Sequence, residues 1–455
     1  MIVVLSQGCA ANFGDGEKIA RILSQKSEVT FEFPEAKPAH STSAANPADF
    51  STEKPEAFYL NVCTVKGNAG AMKLLRKAVS TFPGVPIYIT GCAPKDFREE
   101  ALRTVPHVQF TSLKELEASA ILPTQPAQSP SSQINARTPD SNKIYRNVLR
   151  ESPFVGIVNI EEGCLDACAF CSTHLVKGRL HSFAPQTIVD QVQALVDDGC
   201  LEIQLTGQDC ACYGFDIGTN LAELTQRILT HVNGNYHIRL GMGNPRHVLS
   251  YQEALLDCFT DDRIYKFIHI PVQSGSENVL KAMNRRHTAR DYATLAHAFT
   301  ERFRKFTLST DLIVGYPGET DADFNDTLKL LKETRPTVCN ITRFVARPGT
   351  VAARLETSKP THLAPAPLAV PDDIKHERSA ILAEAFQQIA LENNREWIGD
   401  ECIVVTEKQG YRAGTTIARN EAYRPVALQG TFPAGQTLRV RITDAEPFAL
   451  IAKPL

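Results

Sequence analysis

The sequence predicts an α/β protein in three parts: a parallel α/β domain, a central barrel of six βα units and a small all-β barrel. Two observations predict this order. Apolar runs alternate with helical patterns over residues 1–116 and again over residues 150–358, and strand–helix alternation is typical of parallel sheets. Residues 397–455 instead contain short strand-like runs between Gly and Pro turns, which indicates a small β-barrel.

The N-terminal domain, residues 1–116, is predicted from three strand-like runs, IVVLSQGC, AFYLNVC and VPIYITGC. Helices are expected near residues 16–24 and 69–79. Residues 36–55 are rich in Pro, Ser and Ala and are expected to form a mobile insertion. Residues 117–149 contain a Pro-, Ser- and Gln-rich stretch that predicts a linker.

Six strands are expected in residues 150–358, namely VGIVNI, EIQLTG, HIRLGM, FIHIPV, STDLIVG and NITRFV. They predict an open or closed barrel, and in both the functional groups lie at the carboxyl ends of the strands. Residues 359–396 form a connector that begins with a Pro-rich run and continues as a helix from about residue 373. The tail, residues 397–455, carries five strand-like runs.

Composition restricts the class of protein. The chain has 455 residues, of which 43% are hydrophobic and 22% charged, as in ordinary globular proteins. It shows neither a signal-peptide pattern nor an apolar run of about 18 residues, so a cytoplasmic protein without a membrane span is expected. Its 12 cysteines are then expected to be reduced and available for metal or catalysis. The formal net charge of −3 gives no overall reason to expect nucleic-acid binding.

The strongest motif is the C-x₃-C-x₂-C run of Cys164, Cys168 and Cys171. Three thiolates can ligate three irons of a [4Fe–4S] cluster, which normally takes four, so one iron stays open for a substrate or cofactor. A zinc site and a disulfide are the alternatives. Zinc usually takes two separated ligand pairs, and no second C-x₂-C follows, so the cluster is favoured.

A second set of thiols is predicted in the N-terminal domain. Cys9, Cys63 and Cys92 each end a predicted strand, and parallel strands place these ends along one edge. Gly8 and Gly91, each next to a cysteine, favour close backbone approach. The three thiolates are therefore candidates for a second cluster with its own open iron. The alternative is that they are small buried hydrophobic residues.

Polar residues follow the barrel strands and are candidates for holding a second ligand at the barrel mouth. The most direct are Gln208 and Asp209 after the second strand and Gln273 and Ser274 after the fourth. Others at equivalent positions are Asn244, Gly315 and Arg343. Four cysteines in apolar or helical contexts are expected to be structural: Cys200, Cys258, Cys339 and Cys402. The role of Cys210 and Cys212 is left open, since C-x-C is a poor geometry for one cluster.

Basic residues cluster locally in each part of the chain. Lys73 and Arg76 lie in an N-terminal stretch without acids, and Arg439 and Arg441 lie in the β tail. Charge runs are usually solvated faces. Because they recur in several domains, and because small β-barrels can bind oligonucleotides, RNA contact is favoured.

These residues resemble a known family. GCLDACAFCSTH is similar to the signature of radical S-adenosylmethionine (SAM) enzymes. SQGCAANFGDGE, LNVCTVKGNA and ITGCAPK resemble the N-terminal motifs of the methylthiotransferases, and IPVQSGSENVLKAMNRRHT, DLIVGYPGETDADF and RFVARPGT resemble their barrel motifs. The resemblance implies a radical-SAM barrel and a TRAM-like β-domain. LTGQDCACYGFDIGTNL and RLGMGNP resemble the archaeal and eukaryotic branch. His287, where Tyr is usual, and the pair Cys210 and Cys212 depart from the pattern.

The resemblance implies a transferase that methylthiolates C2 of N6-threonylcarbamoyladenosine beside the anticodon of tRNA. It implies two [4Fe–4S] clusters and SAM, whose reductive cleavage yields a 5′-deoxyadenosyl radical, with Gln208, Asp209, Gln273 and Ser274 lining its site. A one-electron donor and a sulfur source are then required, and a monomer is expected. Alternatives are isopentenyl-adenosine in tRNA or a ribosomal-protein aspartate as substrate. A non-enzymatic iron–sulfur protein and a zinc-containing RNA-binding protein are less favoured.

Overall fold

A computed structural model describes residues 1–34, 54–63, 68–120, 149–357 and 369–455. The chain divides into two compact units, Met1–Pro153 and Phe154–Leu455. Most of the predicted insertion over residues 36–55 and most of the predicted linker over residues 117–149 lie outside the described residues. No helix in the described residues is long and apolar enough to span a membrane.

The N-terminal unit is built on a parallel sheet with the order β2-β1-β3-β4-β5. Its strands in the described residues are β1 Ile2–Ser6, β2 Val29–Thr30, β3 Ala57–Val62, β4 Ile87–Gly91 and β5 Gln109–Phe110. Its helices are α1 Ala10–Ser24, α2 Asn68–Thr81, α3 Lys95–Thr104 and α4 Leu113–Ala120. All residues of β3 are buried, as expected for a central parallel strand with helices on both faces.

Helix α1 begins six residues before the predicted start. The prediction was late because Gly14 and Gly16 are poor helix formers. In the structure Gly16 faces β1 so closely that a Cβ atom there would lie 1.9 Å from Ser6 Oγ. Packing against the sheet therefore overrides the low helix propensity of the glycines.

The second unit begins with the predicted parallel strands, split into two sheets of order β10-β9-β6 and β11-β12-β13. The strands are β6 Val155–Asn159, β7 Glu161–Glu162, β8 His181–Ser182, β9 Glu202–Thr206, β10 His237–Leu240, β11 Phe267–His269, β12 Thr307–Val314 and β13 Val338–Arg343. An isolated bridge joins Ile238 of β10 to Ile264, three residues before β11, and β7 pairs antiparallel with β8 across the segment 163–180. The six predicted βα units are thus present as a partial barrel.

Helices connect and flank the strands of this partial barrel. In the described residues they are α5 Ser172–Lys177, α6 Pro185–Asp197, α7 Leu221–His231, α8 Pro245–Leu249, α9 Gln252–Cys258, α10 Glu277–Ala282, α11 Ala289–Arg302, α12 Asp321–Thr334 and α13 Val351–Thr357. Thr288 and Thr320 cap α11 and α12 through capping boxes, which fixes where these helices begin. One continuous apolar core lies between these helices and the strands.

A long helix, α14 Asp372–Arg395, leads into a closed five-stranded barrel of order β14-β15-β16-β18-β17. Its strands are β14 Glu401–Gln409, β15 Thr415–Asn420, β16 Pro425–Gln429, β17 Thr437–Glu446 and β18 Ala449–Pro454. Alternate residues such as Val404, Leu428 and Val440 fill its core. The sequence predicted all five of these strands and the barrel they form.

Candidate functional site

The first predicted cluster site lies on the loop that leaves the first barrel strand. Cys164, Cys168 and Cys171 follow β7, and the loop closes where the Cys164 amide donates a hydrogen bond to the Gly178 carbonyl at 3.2 Å. Cys171 caps α5, and the His174 amide donates a hydrogen bond to Cys171 Sγ at 3.4 Å. The three thiols therefore sit at the carboxyl end of a barrel strand, as predicted.

Asp166, between the first two cysteines, fastens this loop to the loop after β10. Its carboxylate accepts hydrogen bonds from Asn244 Nδ2 at 2.7 Å, from Arg246 Nη1 at 2.7 Å and from His247 Nε2 at 3.0 Å. Burial alone would raise the pKa of Asp166, but its hydrogen bond to His247 and the charges of His247 and Arg246 hold that pKa below its usual value. Asp166 is therefore a carboxylate that stabilises the shape of the loop.

Arg285 contacts the cysteine loop from the other half of the barrel. Its Nη1 donates to Cys168 Sγ at 3.4 Å, and its Nη2 donates to the Pro271 carbonyl at 2.6 Å. Burial raises the pKa of Cys168 to about 11, Arg285 opposes this, and the nearby Cys171 and Cys164 raise it further. Three cysteine sulfurs on one loop are the donor set of an iron–sulfur cluster, and the Arg285 guanidinium beside them favours their thiolate form, so these residues fit such a cluster.

Gln208 and Asp209 lie beside the cysteine loop. Gln208 Oε1 accepts a hydrogen bond from the Gly163 amide at 2.7 Å. The Asp209 amide donates to Glu161 Oε1 at 2.8 Å, and Asp209 Oδ1 accepts from the Asn244 amide at 2.9 Å. Asp209 Oδ2 is buried and accepts no hydrogen bond among the described residues, but it lies 3.8 Å from His247 Nε2, close enough for an ion pair.

Gln273 and Ser274 follow β11 but differ in what their groups contact. Gln273 is buried with φ 79°, held there by a hydrogen bond from its amide to the Asp311 carbonyl at 2.9 Å. Such a left-handed conformation is costly for a residue other than glycine and clusters at ligand sites. The Ser274 hydroxyl is fully buried and bonds the Thr327 hydroxyl at 3.1 Å. Contact of either residue with a cofactor stays a prediction.

Sequence reasoning did not single out Glu161, Asp166 or His247. Glu161 follows a predicted barrel strand, and Asp166 stands between two predicted ligands, so their positions in the sequence could have marked both residues. The position of His247 in the sequence does not mark it, because only the folded chain brings it to Asp166. The ligand atoms of Asp166, Asp209 and His247 lie within 4.8 Å of one another, all buried.

The second predicted thiol set lies at the ends of three N-terminal strands. Cys9 is the residue before α1, and its side chain makes no capping hydrogen bond. A hydrogen bond with Cys63, followed by desolvation, raises the pKa of Cys9 well above its usual value. A Cβ atom at Gly8 would lie 2.2 Å from Cys63 Cβ, so glycine is required there. The Cys92 amide donates to the Val62 carbonyl at 2.8 Å. Cys9 and Cys63 are thus in contact, and Cys92 is tied to the residue before Cys63.

Two buried asparagines hold these strand ends together. Asn12 Nδ2 donates to the Gln7 carbonyl at 2.7 Å and to the Asn61 carbonyl at 2.9 Å, while Asn61 Nδ2 donates back to the Asn12 carbonyl. A Cβ atom at Gly91 would lie 2.4 Å from Asn61 Oδ1. The loops that carry the thiols are therefore built around close backbone contacts, and their all-sulfur donor set suits a second cluster.

The basic residues predicted to contact RNA are at the surface. Lys73 and Arg76 are exposed on α2, where Arg76 pairs with Glu100 at 3.4 Å. Arg439 and Arg441 on β17 share the carboxylate of Glu401 on β14, with Arg439 Nη2 at 2.9 Å. Glu401 therefore offsets part of the positive charge of the two β-barrel arginines.

The other cysteines separate into two groups. The four predicted to be structural are buried, as expected: Cys200, Cys258, Cys339 and Cys402. Cys210 and Cys212, which the sequence left open, are fully buried in a short turn after β9. Cys212 Sγ donates to Glu161 Oε2 at 3.6 Å, while Cys210 Sγ donates to the Leu205 carbonyl at 3.9 Å.

Comparison with known families places two domains in the chain. Residues 158–331 match the radical SAM superfamily, and residues 395–455 match the TRAM domain. The radical SAM fold implies a [4Fe–4S] cluster and SAM. A solved radical S-adenosylmethionine methyltransferase, TsrM from Kitasatospora setae, is 14% identical with a TM-score of 0.50, covering 88% of this chain and 83% of its own. This likeness concerns the fold alone.

Two curated relatives match most of the chain. The probable threonylcarbamoyladenosine tRNA methylthiotransferase of Pyrococcus horikoshii is 32% identical over 431 residues, which are 94% of this chain and 93% of that protein. The threonylcarbamoyladenosine tRNA methylthiotransferase of Homo sapiens is 30% identical over 433 residues, which are 94% of this chain and 69% of that protein.

Proposed function

Because the chain belongs to the threonylcarbamoyladenosine tRNA methylthiotransferase family and is a transferase enzyme, we propose that it modifies N6-threonylcarbamoyladenosine beside the anticodon of tRNA. The product is 2-methylthio-N6-threonylcarbamoyladenosine. The observation that carries the proposal is the placement of Cys164, Cys168 and Cys171 on one loop at the mouth of a radical SAM barrel.

The substrate carbon explains the need for this site. C2 of adenine carries a hydrogen that no side-chain acid or base removes at neutral pH. A cluster held by Cys164, Cys168 and Cys171 supplies radical chemistry with SAM for that step, whereas the protein supplies binding and orientation. Asp166 and Arg285 hold the loop from two sides, which keeps the three thiols in register.

Residues beside the loop are placed to orient SAM. Asp209 Oδ2 accepts no hydrogen bond among the described residues and has only the longer contact with His247 at 3.8 Å, so it would serve as an acceptor for the cofactor's amino group. Gln208 accepts a hydrogen bond from the Gly163 amide beside the loop, and the buried, left-handed Gln273 would contact a second part of the cofactor. We propose Asp209, Gln208 and Gln273 as the cofactor-contacting groups, with Ser274 supporting its loop through Thr327.

A second cluster on Cys9, Cys63 and Cys92 is proposed to deliver the sulfur atom. The hydrogen bond between Cys9 and Cys63 and the adjoining Cys92 support a shared metal group. A second SAM molecule supplies the methyl group. The reaction requires a one-electron donor and a sulfur source.

The base must leave the anticodon stack to reach the barrel mouth, at a cost of a few kcal/mol. Exposed Lys73 and Arg76 on α2 and Arg439 and Arg441 on β17 are proposed to bind the tRNA backbone. Such contacts position the substrate without reading its sequence.

The proposal is tested by nucleoside mass spectrometry of tRNA from cells that lack this gene. Loss of 2-methylthio-N6-threonylcarbamoyladenosine, with accumulation of its unthiolated precursor, is expected. An unchanged tRNA profile would contradict an RNA substrate and direct the search to a ribosomal-protein aspartate.

Complementation with cysteine variants distinguishes the role of the barrel cysteines from the role of the N-terminal cysteines. Cys164→Ala should abolish both SAM cleavage and the product. Cys63→Ala should leave SAM cleavage measurable as 5′-deoxyadenosine while the product disappears. Cys402→Ala, which changes a buried cysteine of the β-barrel, is the matched control and should retain both. Thiolated product from Cys63→Ala would contradict the second cluster.

A further inference from the structure

Cys212 is a thiol that the proposed reaction does not use, although it lies against a proposed cluster ligand. The Sγ atoms of Cys164 and Cys212 and a carboxylate oxygen of Asp209 all lie within 4.8 Å of one another. Cys212 is fully buried, whereas Cys164 is partly exposed. The side chains of Cys212 and Cys164 also share a hydrogen bond. The two sulfurs are therefore direct neighbours.

The local backbone places Cys212, but not the nearby Cys210, beside Cys164. Cys210 and Cys212 lie in a 3₁₀ turn, where residues two positions apart point in different directions. Glu161 Oε2 accepts the hydrogen bond of Cys212 Sγ, which holds it towards Cys164. Cys210 Sγ instead meets the Leu205 carbonyl. Cys210 is therefore a matched control for Cys212 in the same turn.

We propose that Cys212 is a resolving thiol, which forms a reversible disulfide with Cys164 when the barrel cluster has been lost to an oxidant. The inference rests on the proposed assignment of Cys164 as a cluster ligand. A partly exposed cysteine with a second thiol beside it is an arrangement found at redox-sensitive cysteines. The disulfide would protect Cys164 from further oxidation, and a thiol reductant would convert it back to a thiol that can ligate the cluster.

The oxidant is a peroxide, and the reaction balances in two steps. The Cys164 sulfur attacks one oxygen of hydrogen peroxide and the O–O bond breaks; the thiol proton goes to the departing oxygen, which gives a sulfenic acid on Cys164 and one water. The Cys212 sulfur then attacks the Cys164 sulfur, an S–S bond forms, and the sulfenic oxygen leaves as water with the thiol proton. In total, two thiols lose two electrons, and one peroxide is reduced to two waters. Side-chain rotation must bring the two sulfurs to the ~2.05 Å of a disulfide.

The disulfide can be mapped on the full-length protein as purified with iron. After treatment with hydrogen peroxide, free thiols are alkylated and the chain is cut after Glu and Asp. Cleavage releases residues 163–166, which contain Cys164 as their single cysteine, and residues 210–216, which contain Cys210 and Cys212. A link between these two peptides is expected in the wild type and in Cys210→Ala, and its absence in Cys212→Ala.

A second readout follows the fate of Cys164. In Cys212→Ala, peroxide should drive Cys164 to the irreversible sulfinic acid, and iron and sulfide should not return on reduction and reconstitution. The wild type and Cys210→Ala should regain most of their iron after treatment with dithiothreitol and reconstitution with iron and sulfide. Iron content and circular dichroism before oxidation show whether each variant is folded, and the peptide map of the wild type does not depend on any variant.

Three outcomes would overturn the inference. They are a Cys164 peptide linked to Cys168 or Cys171 instead, a link that persists in Cys212→Ala, or equal recovery of iron in Cys212→Ala and wild type. If the untreated protein binds no iron and sulfide, the proposed function fails, yet the peptide map still decides whether the disulfide forms. If iron and sulfide are normal and the link is absent, the resolving role of Cys212 alone is wrong.

Discussion

The Asp166 carboxylate accepts a hydrogen bond from Asn244 Nδ2 at 2.7 Å, although the two residues lie 78 positions apart. Asp166 stands inside the cysteine loop, and Asn244 caps helix α8 after the third barrel strand. The contact ties the loop that carries the three thiols to a second strand end. Its energetic value is large because the carboxylate is buried and has three charged or polar donors.

Asp166→Ala is expected to lower the free energy of unfolding of the second unit by about 2–3 kcal/mol, because Arg246 and His247 lose their carboxylate. Urea unfolding followed by the fluorescence of Trp397, the single tryptophan of the chain, measures this change. Iron content should fall as well, since the loop is no longer fastened. Asp190→Ala, an exposed acid on α6, is the control and should stay within about 0.5 kcal/mol of wild type. Equal stability of both variants would contradict the role of Asp166.

Arg285→Gln is expected to lower the reduction potential of the barrel cluster by about 40 mV, since a hydrogen bond to a cluster sulfur is worth roughly 1 kcal/mol. Arg285 Nη1 donates to Cys168 Sγ at 3.4 Å, and its charge favours the reduced cluster. Redox titration monitored by electron paramagnetic resonance measures the potential. Arg286→Gln, its exposed neighbour, should leave the potential unchanged. A potential that rises in Arg285→Gln would contradict the contact.

His287 is expected to make the second unit less stable in acid. Burial, and then Arg285, lower the pKa of His287 to about 3, while its unfolded value is near 6.5. The unfolded chain therefore binds more protons below pH 6.5, so stability is fully present above that pH and falls as the pH drops towards 3. Between pH 7 and pH 5 the loss is about 2 kcal/mol.

The measurement is the pH dependence of the melting temperature, compared between wild type and His287→Gln. Between pH 7 and pH 5, the melting temperature of the wild type should fall by about 4 °C more than that of the variant. His231→Gln, which changes an exposed histidine, should melt in parallel with wild type. Parallel curves for His287→Gln and wild type would show that His287 is protonated in the fold.

The strand ends that carry the cysteines could be predicted from the sequence, because an apolar run and the cysteine after it lie within one short segment. Cys9, Cys63 and Cys92 each follow an apolar run, and strand direction then places them along one edge. The C-x₃-C-x₂-C spacing is likewise read from one short segment. The predicted β-barrel followed from alternation and turn residues over residues 397–455.

Contacts that depend on the path of distant loops could not be predicted. His247 meets Asp166 from 81 residues away, and nothing near His247 in the sequence marks it. Ser274 has the predicted position after a strand, but its hydroxyl faces Thr327 of α12, which only packing determines. The different directions of Cys210 and Cys212 follow from a 3₁₀ turn that the motif CAC does not reveal.

The two arginines on β17 should bind tRNA more tightly when Glu401 is neutralised. Arg439 and Arg441 both pair with the Glu401 carboxylate, so Glu401→Gln frees their charge and should tighten tRNA binding about threefold at low salt. Replacing both arginines with alanine should weaken binding and reduce the slope of log K against log salt by about 1–2. Filter binding or fluorescence anisotropy at several salt concentrations measures both effects. Glu384→Gln removes the same charge from an exposed site on α14 and is the control. If Glu384→Gln tightens binding as much as Glu401→Gln, net charge rather than the β17 arginines governs the affinity.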